Sequence, residues 1–268
     1  MEKKIKIKNK IIPVTLLIIS SNIINNNSAA YGPNYKIKRP WSLGVTGIFS
    51  PNVYKDSKTV YLILPFVAYK GDRLSIYGPK INYKIAGKYF YGISLDASLY
   101  SAKFKPSDSS DSNLQKLNER NYSMLAGVNG FLALDRTNKF SLGAYRSFFS
   151  ADNGYVFKGA YTASFMFNFK KSMIRLSPSI GVQYDSAKLI NYYYGISNQE
   201  HNKTGLPEYQ PNFAITPYVS LSAMYIIEKK WTIGANAKLS MLSSSIKNSP
   251  MVDKSYGLSG VVFASYSF

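Results

Sequence analysis

His201 is the only histidine in the chain, and Glu200 stands beside it. A histidine with a carboxylate and a serine is the set that a hydrolytic or acyl-transfer site requires, because the imidazole must take the proton of the attacking hydroxyl. No serine stands at a recognisable nucleophile spacing from His201, and a single histidine in a polar loop is ordinarily solvated. The carboxylates Asp108, Asp111, Asp152, Asp185 and Glu208 are scattered, with neither an acid/base pairing nor the spacing of a calcium loop. Cysteine is absent altogether, which excludes disulfides and thiolate metal sites. Phosphate-cradling glycine loops are missing too, and Gly257 and Gly260 fall inside a strand pattern. The residues therefore point to a protein with no catalytic residues, no cofactor and no metal.

A different chemistry is carried by charge. Lys70, Arg73, Lys88, Arg136, Lys139, Lys170, Lys171, Lys229 and Lys230 all fall in or beside short connections between apolar segments. Two readings fit them. They snorkel to anionic lipid headgroups, or together they dock an acidic partner.

What positions these side chains is a series of strands. In the last segment Tyr256, Leu258, Gly260, Val262, Ala264, Tyr266 and Phe268 share one face, and serine and glycine dominate the other. Period two is the mark of a strand. A chain that stops on such a strand with a terminal aromatic looks like the C-terminal signal that outer-membrane barrels present to their assembly machinery. The same alternation recurs from Tyr89 to Leu99, Tyr122 to Leu134, Tyr155 to Phe169, Ile174 to Asp185, Ile215 to Ile227 and Trp231 to Met241. Lys158, Arg175, Asp185 and Lys238 lie opposite wide aromatic bands, so that face must meet water in a lumen. Two stretches fit less well: Val60 to Tyr69 is apolar on both faces, and Arg146 falls on the apolar side.

The connections alternate in length, as barrels with short periplasmic turns and longer external loops require. Short turns are expected at 70–73, around Gly87, at 135–138, 170–172 and 228–230. Long loops are expected at 51–58, 105–120, 186–213 and 243–254, with a small one at 151–154. Parity holds only if 73–86 is two short strands reversing near Gly78 and Pro79. The expectation is an all-β antiparallel transmembrane barrel of about 12 strands. The 23 tyrosines and 15 phenylalanines suit girdles at the two membrane interfaces.

Residues 1–30 read as a cleaved signal peptide: five lysines, an apolar run from Ile11 to Ile19, and the small residues Ser28, Ala29 and Ala30. The apolar run is too short to span a bilayer as a helix. Residues 31–268 then form the barrel domain, with a net charge of about +15 once the signal's lysines and glutamate are gone. Such a charge would suit nucleic acid in a cytoplasmic protein; export argues against that partner.

The first hairpin carries a more specific pattern, with Trp41-Ser-Leu-Gly-Val, then Tyr54-Lys-Asp-Ser-Lys, then Pro65-Phe-Val-Ala-Tyr-Lys-Gly-Asp-Arg-Leu-Ser-Ile. Further along come Tyr192-Tyr-Tyr-Gly-Ile, Pro207-Glu-Tyr-Gln-Pro, the Trp231 strand, Asn248-Ser-Pro-Met-Val and Ser265-Tyr-Ser-Phe. In order and spacing this resembles the MipA/OmpV family of outer-membrane proteins, the MltA-interacting proteins. One departure is Leu206-Pro-Glu-Tyr where the family often has Arg-Pro-Ala-Tyr, so the arginine of any loop-borne anion site is missing. The resemblance implies a barrel in the outer membrane of a Gram-negative bacterium. It also implies a scaffold role between a murein hydrolase and a murein synthase in peptidoglycan remodelling. Two other functions fit the residues: a narrow channel for small solutes, and an adhesin acting through its external loops. For the scaffold, the expected partner-binding residues are Lys70, Arg73, Arg136, Lys139, Lys170, Lys171, Lys229 and Lys230.

Overall fold

The computed structural model describes residues 39–100, 102–148 and 153–268, so the expected signal peptide lies outside the described residues. Alternating apolar and polar side chains cannot bury one face as a helix, and these segments pair instead as one antiparallel sheet. Its strands are β1 (Trp41–Ser50), β2 (Val60–Lys70), β3 (Leu74–Tyr77), β4 (Lys80–Gly87), β5 (Tyr91–Tyr100), β6 (Ser123–Ala133) and β7 (Asn138–Phe148). They continue as β8 (Tyr155–Ala163), β9 (Phe165–Asn168), β10 (Ser172–Asp185), β11 (Ala214–Ile227), β12 (Trp231–Met241) and β13 (Tyr256–Ser267). Each strand pairs with its sequence neighbours except that β8 and β9 both pair with β10, and β13 pairs back on β1 from Ser42↔Ser267 to Phe49↔Gly260, which closes the barrel. β8 and β9 lie end to end along β10 and form one interrupted stave, so the barrel has 12 staves. Pairing of the last strand with the first closes the sheet on itself, the condition for a sheet to cross lipid.

The short turns gather at the end of the barrel that also holds the start of β1 and the end of β13. There Phe268 N–H donates to the Trp41 carbonyl at 3.1 Å and Ser267 N–H to Lys230 at 2.8 Å. Aromatic pairs ring this end, Trp41 with Tyr69 at 4.8 Å and Trp231 with Tyr266 at 5.0 Å. A second set marks the opposite end, with Phe49 and Tyr61 at 5.3 Å and Tyr184 and Phe213 at 5.4 Å. Between them Leu43, Val45, Leu95, Val128, Leu142, Val219 and Val262 stand exposed on the outer face. Such an apolar band with aromatic borders is the lipid-facing surface of a barrel. Arg146, the exception in the alternation, sits at the external end with its guanidinium 5.9 Å from the rings of both Phe148 and Tyr155.

The main hydrophobic core sits at the external end of the barrel, where Leu125 and Val156 of the wall meet the loops. The loop expected at 186–213 contains α1 (Ala187–Tyr194) and α2 (Asn198–Thr204), and the loop at 243–254 contains α3 (Ser244–Lys247). Together with the loops after β1 and β5 they pack a cap across the external mouth. Phe104, Leu114, Leu189, Ile190 and Tyr193 are fully buried there, beside Tyr54, Ile196, Ile246 and Met251. Each such side chain contributes roughly 2 kcal/mol of burial. The i, i+1, i+4, i+5 spacing of Leu189, Ile190, Tyr193 and Tyr194 puts all four on the inward face of α1.

Candidate functional site

The periplasmic turns carry the residues singled out for partner binding, and the structure divides them. Arg73, Lys88, Arg136, Lys170, Lys171 and Lys229 are exposed on the rim, and Lys230 is half-buried. Asp72, Asp135 and Glu228 are exposed among them, so the rim keeps a positive excess that is smaller than the lysines alone would give. Glu228 pairs with Lys171 at 3.6 Å. Asp135 is committed to its own turn, accepting from Thr137 N–H at 2.6 Å and Asn138 N–H at 2.7 Å. The Asn138 side chain, then the two backbone donors, hold its carboxyl below the usual carboxylate value. The Glu228–Lys229 turn has both central residues left-handed, at φ 50° and 58°, and Lys230 N–H closes it on the Ile227 carbonyl at 2.9 Å. That is a type I′ hairpin built without glycine or asparagine.

Lys70 and Lys139 do not join the rim. Both occupy inward positions of their strands, Lys139 with its ammonium 5.5 Å from the Phe131 ring. Lys139 is electrostatically coupled to Lys80 and Arg175, and Lys70 to Arg175, so these four cations line the periplasmic half of the lumen. Asp96 faces them, 3.9 Å from the Lys80 ammonium and hydrogen-bonded by Asn82 at 2.5 Å and Ser94 at 2.8 Å. The period-two pattern shows that Lys139 is inward; a turn assignment alone had counted it with the rim.

Higher in the lumen Lys158 lies 5.3 Å from the Tyr145 ring and Lys238 4.1 Å from the Tyr218 ring. Asp185 accepts from Gln183 at 2.9 Å on each oxygen. Lys158, Gln183, Asp185 and Lys238, with the underside of the cap, line a cavity of about 180 Å³.

The cap is locked by ions and tyrosines. The Arg120 guanidinium donates to Glu200 at 2.7 Å, and also to the carbonyls of Asn118 at 3.0 Å and Gly195 at 3.3 Å. Glu200 additionally accepts from Ser197 N–H at 3.1 Å, closing a capping box at the start of α2, and from Asn118 N–H at 3.2 Å. Burial pushes its carboxyl up, but Arg120 and the backbone donors outweigh that and hold it below the ordinary value. Tyr54 donates to the Tyr193 carbonyl at 3.2 Å, Tyr193 to Asn121 at 2.9 Å, and Ser249 to the Tyr194 carbonyl at 2.6 Å.

The one catalytic candidate of the sequence lies beside this network. Glu200 is taken up by Arg120, and His201 Nδ1 faces the Leu206 carbonyl at 2.7 Å, so Nδ1 carries the proton and donates there. Among the described residues no group of three or more His, Asp or Glu is arranged to hold a metal.

A closed barrel with a lipid-facing apolar band, aromatic girdles and short periplasmic turns is an outer-membrane protein of a Gram-negative bacterium. The family model described as MltA-interacting protein MipA matches residues 43–268, and the chain belongs to that family. Relatives include the MltA-interacting protein of Escherichia coli K12, 30% identical over 81% of this chain and 85% of its own length. The putative outer membrane protein YiaT of the same strain is 28% identical over 85% of this chain and 90% of its own. The outer membrane protein OmpV of Vibrio cholerae is 24% identical over 90% and 93%.

Proposed function

We propose that this barrel is a non-enzymatic scaffold that works from its periplasmic face, gathering peptidoglycan-remodelling enzymes, a murein hydrolase foremost, at the inner surface of the outer membrane. The observation that carries this reading is the cap. Phe104, Leu114, Leu189, Ile190 and Tyr193 are fully buried in that cap, which narrows the route from the lumen to the cell exterior. The exposed charge available to a periplasmic partner is the rim of Arg73, Arg136, Lys170, Lys171 and Lys229. A relative named for interacting with MltA fits a partner of that kind. His201 and Glu200 are both engaged in holding the cap, which supports a protein without chemistry of its own.

The competing reading is a narrow solute channel, which the charged lumen favours. Reconstitution of the purified barrel into planar bilayers separates the two. The scaffold reading expects no steady ohmic conductance, and a stable open level of porin type overturns it.

A further inference from the structure

The barrel wall is incomplete on one side. β3 and β4 are too short to reach the external end: the β2–β3 ladder stops at Ala68↔Tyr77 and the β4–β5 ladder at Ile81↔Ala97. On the other sides of the same strands, β1 follows β2 up to Val60 and β6 follows β5 up to Tyr100. Above the Gly78–Pro79 reversal, β2 and β5 therefore face one another with no strand between them among the described residues. Two missing staves leave about 14 Å between the strand axes at the level of the reversal, at the ordinary spacing of neighbouring strands.

The chain accommodates this opening. Lys70 N–H donates to the Pro40 carbonyl and Gly78 N–H to the Val67 carbonyl, both at 2.8 Å or less. By the two-residue period, the backbone groups of Tyr61, Ile63 and Pro65 then point toward the opening. Pro65 has no N–H to leave unmade, and an unladdered edge is where a sheet tolerates proline. The top is bridged by the loops after β1 and β5, which donate Lys58 N–H to Asp108 at 3.0 Å and Ser110 N–H to Asp56 at 2.9 Å. Lys55 and Asp111 add an ion pair at 3.0 Å. The result is a framed window in the external half of the wall, level with the lipid.

Inside the window the lumen changes character. Leu62 and Leu64 of β2 pack with Ile48 and Val261, and Phe66 meets Phe263 at 5.2 Å, whereas β5 to β12 present serines, asparagines, lysines and aspartates. This apolar quadrant explains why β2 is hydrophobic on both faces. Val60, at the edge of this patch, also lines the 180 Å³ cavity. So does Leu99, whose register on β5 is the lipid-facing one, together with the inward-facing Lys158 and Lys238. The cavity thus abuts both edges of the opening, Val60 on β2 and Leu99 on β5.

We propose that the window is a lateral port for a single-chain anionic amphiphile of the outer leaflet. Its acyl tail lies between the β2 and β5 edges against Leu62 and Leu64, and its head lies in the cavity near Lys158 and Lys238. Three features select this occupant. The opening lies in the band that meets acyl chains, its inner wall is apolar, and the cavity behind it holds two lysines to the single carboxylate of Asp185 on its lumen walls. The port is independent of any partner at the periplasmic rim.

The test uses the folded full-length barrel in a neutral detergent and measures calorimetric binding of dodecanoate, with dodecyl maltoside as the uncharged control. Saturable one-to-one dodecanoate binding that dodecyl maltoside does not displace is expected. The double variant Lys158→Gln, Lys238→Gln and, separately, Leu64→Ser should each weaken it at least tenfold, with heat-modifiability on gels certifying that each barrel is folded. Should one variant fail to assemble, the other decides. Absence of saturable binding, equal displacement by dodecyl maltoside, or wild-type affinity in a folded variant overturns the port.

Discussion

Arg120 and Glu200 lie 80 residues apart and meet at 2.7 Å with both side chains buried, so one ion pair ties the loop after β5 to the loop after β10. Glu200 also caps α2, which couples the pair to the helix that covers the external mouth. Removing one partner leaves the other charged group buried without compensation, at a cost of about 3–5 kcal/mol. Glu200→Ala should therefore open the cap and leave the wall intact. The expected result is rapid proteolytic cleavage within 186–213 in a barrel that still shows heat-modifiable migration.

The same pair sets a pH dependence. The Glu200 carboxyl sits below its ordinary value in the folded cap, so its contribution to stability is complete above the unfolded value of about 4.3 and is lost as pH falls through the lower folded value. The protection of amides over 195–206, relative to their intrinsic exchange rates, should fall below about pH 4. In Glu200→Gln the protection should be weaker at neutral pH, and its dependence on acidification should be diminished.

The turn between β11 and β12 holds two residues in a left-handed conformation that side chains with a Cβ disfavour by about 1 kcal/mol each. Replacing Glu228 and Lys229 by Asn and Gly suits a type I′ turn and should raise the temperature at which the folded band is lost on gels. A fall in that temperature would show that the Glu228–Lys171 pair matters more than the backbone.

Closure of the barrel depends on close approach at one point. A Cβ on Gly44 would stand 1.9 Å from the Ala264 carbonyl oxygen, against backbone that cannot step aside without parting β1 from β13. Gly44→Val should destabilise the closed barrel by about 2 kcal/mol, read as a lower transition temperature and reduced levels in the outer membrane.

The wall was legible because a strand between lipid and water must alternate, and Tyr89 to Leu99 or Trp231 to Met241 do so residue by residue. The reversal at Gly78 and Pro79 followed from parity alone, and β3 and β4 meet there. The window was not legible: two-sided hydrophobicity in β2 was visible, but only the pairing of Tyr77 with Ala68 shows that its upper edge lacks a neighbour. The cap was missed because its helices are short and sit between polar residues. Ser197 and Glu200 spell a capping box, and Leu189, Ile190, Tyr193 and Tyr194 share one helical face, so both signals were present in a stretch assigned to loop. Lys70 and Lys139 were grouped with the rim by proximity to turns, although their strand parity places them inward.

On the scaffold proposal, the barrel acts through charge on its periplasmic rim. Exposed pairs are individually worth less than about 1 kcal/mol and are screened over about 10 Å at 0.1 M salt, so docking must use several turns together. The direct measurement is binding of the folded barrel to isolated sacculi and to an immobilised murein hydrolase, at low and high salt. Wild type should be compared with a combined Lys170→Gln, Lys171→Gln, Lys229→Gln, Lys230→Gln variant. Wild-type binding should fade as salt rises, and the variant should bind at least tenfold more weakly at low salt. Wild-type, salt-insensitive binding by the variant would contradict the proposal and leave these lysines to the lipid headgroups.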